Sequence, residues 1–187
     1  MKNDQLDHLR NQLSVESKNG IDFTIAATII WAEIAFIWTL KAEAYNRAVL
    51  VFIAGSPLLP LAFFLSKILK TKWKIENNPL QPLGLWLNFA QLFYFPFLIF
   101  ILIRQPDYFV MTYAIITGAH FFPYSWYYNK TWYSIFAGVI SLGSLLLALN
   151  LPPANLFYVG IWVSFSLLIL SLGLIADYRK KAIGYEK

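Results

Sequence analysis

The sequence contains no cysteine, and only 13% of its 187 residues are charged. The absence of cysteine excludes disulfides, thiolate metal sites and cysteine nucleophiles. Soluble domains have about a quarter of their residues charged, so this chain has too little polar surface to cover a water-soluble globule. Hydrophobic residues make up 58% of the chain and the mean hydropathy is +0.54, which predicts a membrane protein.

The sequence also lacks the common enzyme motifs. It contains no H-E-x-x-H, no Walker loop, no G-x-S-x-G and no Rossmann glycine pattern. His120 is the only histidine inside an apolar run, which excludes a bis-histidine haem and a histidine-rich metal site. We therefore predict no metal, no cofactor and no assigned catalytic residue.

Six apolar runs divide the chain, and each is long enough to cross a bilayer as a helix. They cover residues 22–40, 48–66, 83–103, 109–126, 133–150 and 156–176. A membrane β-barrel would show short alternating strands instead of continuous apolar runs. The sequence thus predicts an all-α membrane bundle of six transmembrane helices, forming a single domain over residues 1–187.

The first twenty residues are polar and precede the first span. Leu6, Leu9 and Leu13 are spaced so that they share one face of a short amphipathic helix. Such a helix caps the bundle or lies on the bilayer surface, and the alternative is a helix that docks a partner.

Basic residues are distributed unevenly between the two sides of the predicted bundle. Lys41, Arg47 and Arg104 fall on one side, and the other twelve Lys and Arg residues fall on the opposite side. By the positive-inside rule, both termini face the cytoplasm. Four lysines flank Trp73 at this inner interface, where they anchor the orientation or bind anionic lipid: Lys67, Lys70, Lys72 and Lys74. Because these lysines border hydrocarbon, we expect no nucleic-acid partner; the sequence does not predict an oligomeric state.

The candidate ligand-binding residues are polar side chains within the predicted spans: Glu33, Asn88, Gln91, Tyr113, Thr117, His120 and Tyr124. The last four are spaced four, three and four residues apart, so they share one face of the fourth span. We expect His120 to point into the bundle and to bridge to Asn88 or Gln91 on the third span. Interior prolines in the second, third and fourth spans kink helices, so we predict a cavity among the first four spans.

Each of these polar groups also has a structural interpretation. In this interpretation Asn88 and Gln91 form hydrogen bonds that hold neighbouring helices together, and His120 is a neutral imidazole bonded to a neighbouring group. A carboxylate at mid-bilayer costs about 2.5 kcal/mol or more, which favours a functional role for Glu33. An interfacial aromatic belt accounts for Tyr127, Tyr128, Trp132 and Tyr133.

Small residues recur at helical spacing on the last two spans. Ser134, Gly138 and Ser141 lie on the fifth span, and the sixth carries Gly160, Ser164 and Ser171. Since small residues allow helix backbones to approach closely in lipid, we predict that these two spans pack on each other as a hairpin.

Two segments, "NPLQPLGLWLNFAQLFYFP" (78–96) and "GAHFFPYSWYY" (118–128), resemble the motifs of a family of small bacterial membrane proteins classed as a domain of unknown function. The resemblance extends along essentially the whole chain. It implies a six-helix, multi-pass protein of the bacterial cytoplasmic membrane, and it implies no activity for any residue.

Three classes of function fit the sequence. The first is a protein that binds or transports a small molecule or lipid through a polar cavity among the first four spans. The second is an intramembrane enzyme that acts on a lipid-like substrate, with Glu33 or His120 as the acid–base group. The third is a helper subunit that packs on a larger membrane complex.

Overall fold

The computed structural model describes residues 3–185, and within this range every regular element is a helix. The α-helices are α1 (Asn3–Glu16), α2 (Ile21–Thr39), α3 (Ala44–Gly55), α4 (Leu58–Leu69), α5 (Gln81–Leu92), α6 (Phe95–Arg104), α7 (Phe109–Tyr127), α8 (Thr131–Asn150) and α9 (Phe157–Tyr185). The predicted all-α fold is confirmed. Lys2 and Lys187, which contribute to the predicted charge bias, lie outside the described residues.

Five helical segments are long and apolar enough to cross a membrane, and they indicate a membrane protein. They are Lys18–Thr39, Ala44–Leu69, Gln81–Arg104, Thr131–Asn150 and Pro153–Lys181. The predicted span at 109–126 coincides with α7, which is not one of these five. The reason is its composition, because this 19-residue helix includes His120, Pro123 and two threonines. A total of six spans stays a prediction.

Prolines divide two of the long apolar segments into pairs of helices. α3 ends and α4 begins around Pro57, and α6 begins one residue before Pro96. Proline lacks an N–H and fits the first turn of a helix, so a new helix starts where the previous one is interrupted. α7, in contrast, continues through Pro123 without interruption.

The small residues of α8 and α9 contact other helices than predicted. A Cβ at Gly160 of α9 would lie 2.7 Å from the Cα of Ala35 in α2. A Cβ at Gly118 of α7 would lie 2.4 Å from the Oγ of Ser141 in α8. The predicted packing of α8 on α9 is confirmed, since Trp162 Nε1 of α9 donates to the carbonyl of Val139 in α8 at 3.2 Å. The prediction that Ser141 and Gly160 form this contact is wrong. A small residue allows close approach only to the helix whose backbone faces it. The sequence does not show which of the neighbouring helices that is.

Hydrogen bonds from serine reinforce the contact between α2 and α9. Ser164 Oγ donates to the carbonyl of Thr28 at 3.0 Å, and Ser171 Oγ donates to Thr24 Oγ1 at 2.9 Å. More than half of the residues of α2 and of α7 are buried, whereas no residue of α5 is buried. α2 and α7 thus form the centre of the bundle, and α5 is part of its outer wall.

The helices that start or end near Lys18, Lys72 and Lys130 meet at one end of the bundle, which we call the basic end. Here the Lys18 ammonium donates to the carbonyl of Leu69 at the end of α4. The side chain of Asn19 donates to the carbonyl of Leu174 in α9 at 3.2 Å. The ends of helices that are distant in sequence are thereby joined at this surface.

α1 packs on the basic end of the bundle. Leu13 on its inner face is only 1% exposed. Asn78, in the linker after α4, donates to the carbonyl of Leu9 at 2.9 Å, and Arg10 donates to the carbonyl of Trp126 at 2.6 Å. The structure thus agrees with the prediction that the N-terminal helix caps the bundle.

Candidate functional site

A cavity of about 670 Å³ lies among the first four predicted spans. Its walls come from α2, from the α3–α4 and α5–α6 pairs and from α7, and Tyr133 of α8 closes one side. Most side chains that line it are apolar or aromatic.

Six of the seven predicted site residues line this cavity: Asn88, Gln91, Tyr113, Thr117, His120 and Tyr124. Glu33 does not. It is exposed on α2, two residues beyond the cavity-lining Trp31, and two residues correspond to about 200° of rotation around a helix. The prediction that grouped Glu33 with the others is corrected, because the side of α2 that faces the cavity depends on packing and not on depth in the bilayer.

The four predicted residues of α7 face the cavity together, as their spacing predicts. The ring of Tyr113 lies 5.2 Å from that of Trp31 in α2, and the imidazole of His120 packs edge-on against Tyr124 at 5.3 Å. Within the described residues, no hydrogen bond joins His120 to Asn88 or Gln91, so the predicted bridge is not formed; Asn88 Nδ2 donates instead to the carbonyl of Gly84 in its own helix at 3.1 Å. α7 therefore presents an aromatic and partly polar stripe to the cavity.

A cluster of four tyrosines forms the wall of the cavity near the basic end: Tyr124, Tyr127, Tyr128 and Tyr133. The hydroxyl of Tyr133 donates to the carbonyl of Asn19 at 2.5 Å, and that of Tyr127 donates to the carbonyl of Gln81 at 3.3 Å. All four are buried. The prediction of an interfacial belt is wrong for Tyr127, Tyr128 and Tyr133. Only Trp132 of that group is exposed.

Asp22 is a cavity residue that the sequence reasoning missed. It lies in the first turn of α2, lines the cavity near the basic end and is 1% exposed. Its Oδ2 accepts hydrogen bonds from Thr71 Oγ1 at 2.8 Å and from Trp73 Nε1 at 2.6 Å. The position of Asp22 at the start of an apolar run could have indicated a buried acidic group. Acidic residues at the ends of such runs usually face water, so the position alone did not single it out.

The cavity opens sideways between α4 and α5. Four residues both line the cavity and are 45–57% exposed: Leu59 of α4, with Leu85, Phe89 and Leu92 of α5. We call this opening the side mouth. We infer that the cavity meets the surroundings at these four residues. The mouth is apolar, and the segments that contain α4 and α5 are long and apolar enough to cross a membrane.

The chemistry of the lining limits what the cavity can hold. Within the part of the chain that the structure describes, no three His, Asp or Glu residues are grouped as metal ligands would be. Its polar groups are amides, hydroxyls, one imidazole, the Asp22 carboxylate, the Trp73 indole N–H and the Lys72 ammonium, in an otherwise apolar surface. Such a lining suits an apolar molecule with a small polar part.

Comparisons with known proteins identify a family for this chain and no function. No curated protein and no solved structure matches this chain. Residues 6–177 match the model of a family of unknown function, DUF7010, in agreement with the resemblance found in the sequence. The chain, matched over nearly all of its length, belongs to this family of unknown function.

Proposed function

We propose that this protein binds a hydrophobic or amphiphilic small molecule that enters the cavity from the bilayer. The observation that carries the proposal is a cavity of about 670 Å³ with an apolar side mouth between two membrane-compatible helices. Pockets for drug-sized ligands measure about 300–1,000 Å³ and have mostly apolar walls with a few placed polar groups. The cavity fits this description in size and in lining.

The direction of entry follows from the placement of the exposed side chains. Leu85, Phe89 and Leu92 lie on one side of α5 and are both exposed and cavity-lining. A polar solute would lose its hydration in an apolar mouth without replacing it. A molecule already dissolved in hydrocarbon passes the mouth without leaving apolar surroundings. The proposed ligand is therefore membrane-dissolved.

The polar residues of the cavity give the ligand an orientation. Asn88, Gln91 and Thr117 supply hydrogen-bonding groups along the walls, together with His120. The alternative of an intramembrane enzyme with Glu33 or His120 as the acid–base group loses support for Glu33, which is exposed outside the cavity that His120 lines. Binding, with or without transport, is the function that the remaining residues favour.

The proposal includes a membrane topology of six spans in a bacterial cytoplasmic membrane. α7 would be the additional span, and its polar residues are tolerated because neighbouring helices shield them from lipid. The basic end would face the cytoplasm. At this end Lys70 and Lys74 are exposed and would contact anionic lipid; Lys67 lies over the Phe63 ring, and Lys72 is bonded to Glu16.

Photolabelling tests the binding function. A decanol that carries a diazirine is added to the protein in lipid nanodiscs, and the labelled residues are mapped by mass spectrometry. We expect labels on cavity-lining residues of α5 and α7, and we expect unlabelled decanol to reduce them. Labels spread evenly over all lipid-facing surfaces, without competition, would overturn the proposal.

A matched pair of variants on α5 sharpens this test. Asn88→Trp places a large side chain on the cavity wall, whereas Ala90→Trp places the same side chain at an exposed position that does not line the cavity. We expect Asn88→Trp to reduce cavity labelling about fivefold or more, consistent with a loss of about 1 kcal/mol of binding. Ala90→Trp should leave the labelling unchanged.

A further inference from the structure

Asp22 places an acidic group inside the apolar cavity, at the end near the tyrosine cluster. One carboxylate oxygen, Oδ2, is occupied by the Thr71 hydroxyl and the Trp73 indole. Within the described part of the chain, the hydrogen bonds to this carboxylate both go to Oδ2, and none goes to the other oxygen, Oδ1. Two donated hydrogen bonds suit an ionised carboxylate, and the second oxygen is left to accept from a bound molecule.

No basic side chain among the described residues forms an ion pair with Asp22. The ion pairs within the described residues are Arg10 with Asp7, Lys72 with Glu16 and Lys130 with Asp177. Lys72 also lines the cavity, but its ammonium donates to Glu16 at 2.8 Å and its side chain is 65% exposed. A buried carboxylate is costly unless a cation or hydrogen bonds compensate it, and the N-terminus of α2 supplies only part of that compensation.

Aromatic rings surround the same end of the cavity. Trp73 stacks on Phe23 with ring centroids 5.0 Å apart and meets Phe63 edge-on at 5.5 Å. A Cβ at Gly20 would lie 3.0 Å from the Tyr128 hydroxyl, so this tyrosine reaches the start of α2 beside Asp22. Faces of Trp and Tyr rings attract cations, and they do so most strongly where water is excluded.

We propose that the ligand of the cavity carries a cationic ammonium head, which binds against Asp22, and an apolar tail, which extends toward the side mouth. This inference rests on the proposed binding function and specifies the class of its ligand. The carboxylate attracts the ammonium, the aromatic rings replace part of its hydration, and an anionic head is repelled. A cavity of about 670 Å³ suits a single-chain or drug-sized amphiphile.

Competition against the labelled decanol tests the charge of the head. Decylammonium, decanol and decanesulfonate share one tail and differ in the charge of the head, and the potency of each is expressed per concentration in the bilayer. We expect the cation to displace the label at about tenfold lower concentration than decanol, since tenfold corresponds to about 1.4 kcal/mol. We expect decanesulfonate to be the weakest competitor. Equal potency of the three compounds would overturn the inference.

Asp22→Asn separates the charge from the structural role of this residue. The amide oxygen of Asn can still accept the hydrogen bonds from Thr71 and Trp73, so the fold is retained while the charge is removed. Glu33→Gln is the matched control, because it removes one negative charge from the same helix outside the cavity. We expect Asp22→Asn alone to bring the cation within about twofold of decanol, consistent with a residual difference below about 0.5 kcal/mol.

The two proposals fail in different ways. If labelled decanol does not enter the cavity of the wild-type protein, the binding function itself is wrong. If it enters and the cation has no advantage, or if Asp22→Asn keeps that advantage, binding stands and the ammonium head is wrong. The three competitors on the wild-type protein distinguish these outcomes even if the variant does not fold.

Discussion

The hydroxyl of Tyr133, in the first turn of α8, donates a 2.5 Å hydrogen bond to the backbone carbonyl of Asn19. The two residues are 114 positions apart, and both are buried. Asn19 has a positive φ of 59°, directly before α2 begins. This bond therefore connects α8 to the turn that precedes α2 and Asp22, at the end of the cavity near the basic end.

Tyr133→Phe should destabilise the protein by about 1–2 kcal/mol. The substitution leaves the buried carbonyl of Asn19 without a hydrogen-bond donor. In the unfolded state water donates to this carbonyl, so the unpaired group destabilises the folded state. Thermal unfolding in detergent measures the effect. Tyr158→Phe is the control, since Tyr158 is 47% exposed. Equal melting temperatures for the two variants would show that the bond contributes nothing.

Gly160→Ala should destabilise the contact between α2 and α9, by about 1–3 kcal/mol. The new Cβ would lie 2.7 Å from the Cα of Ala35, and backbone atoms cannot move aside as a flexible side chain can. Gly138→Ala is a matched control because no atom lies within 4 Å of the Cβ it adds. We expect this control to be neutral or slightly stabilising, as alanine favours helices by up to about 1 kcal/mol over glycine. The same thermal unfolding assay compares both.

Single cysteines should reveal the proposed topology. The natural chain has no cysteine, so each introduced thiol reports alone. With the basic end in the cytoplasm, cysteines at Asn46 and Asp107 should react with a membrane-impermeant reagent on intact cells. Cysteines at Lys72 and Lys74 should react only after the cells are opened. The reverse pattern would invert the proposed orientation.

Docking of α1 should weaken in acid. The hydrogen bond from Lys72 lowers the pKa of Glu16 below its ordinary value of 4.5. A carboxylate with a lowered pKa stabilises the folded state above its unfolded pKa, and this contribution is lost as the pH falls through the lower folded value. The protection factors of the α1 amides, which compare the measured exchange with the intrinsic rate at the same pH, should therefore fall below about pH 4.5.

Glu16→Gln provides the control for this acid effect. The variant has no carboxylate at this position, so it should show faster exchange of α1 already at neutral pH and a smaller further change in acid. High salt should also weaken the wild-type contact, since the Lys72 partner is exposed and screened. Unchanged exchange in the variant would mean that the pair does not hold α1.

Local properties of the sequence determined the class of the fold. The length of each apolar run predicts a helix that can cross a bilayer, and five of the six predicted spans are such helices. The spacing of Tyr113, Thr117, His120 and Tyr124 predicts one shared face, because the rotation per residue is constant along a helix. All four line the cavity.

Only the tertiary structure decided which faces meet. Glu33 and Asp22 lie on the same helix and are both acidic, yet packing exposes Glu33 and buries Asp22 in the cavity. Likewise, Gly160 contacts Ala35 of α2 rather than α8, and Tyr133 reaches Asn19 rather than an interface. In a chain with so many apolar surfaces, many helix pairings bury similar areas. The choice among them comes from contacts between residues more than a hundred positions apart, which no local pattern encodes.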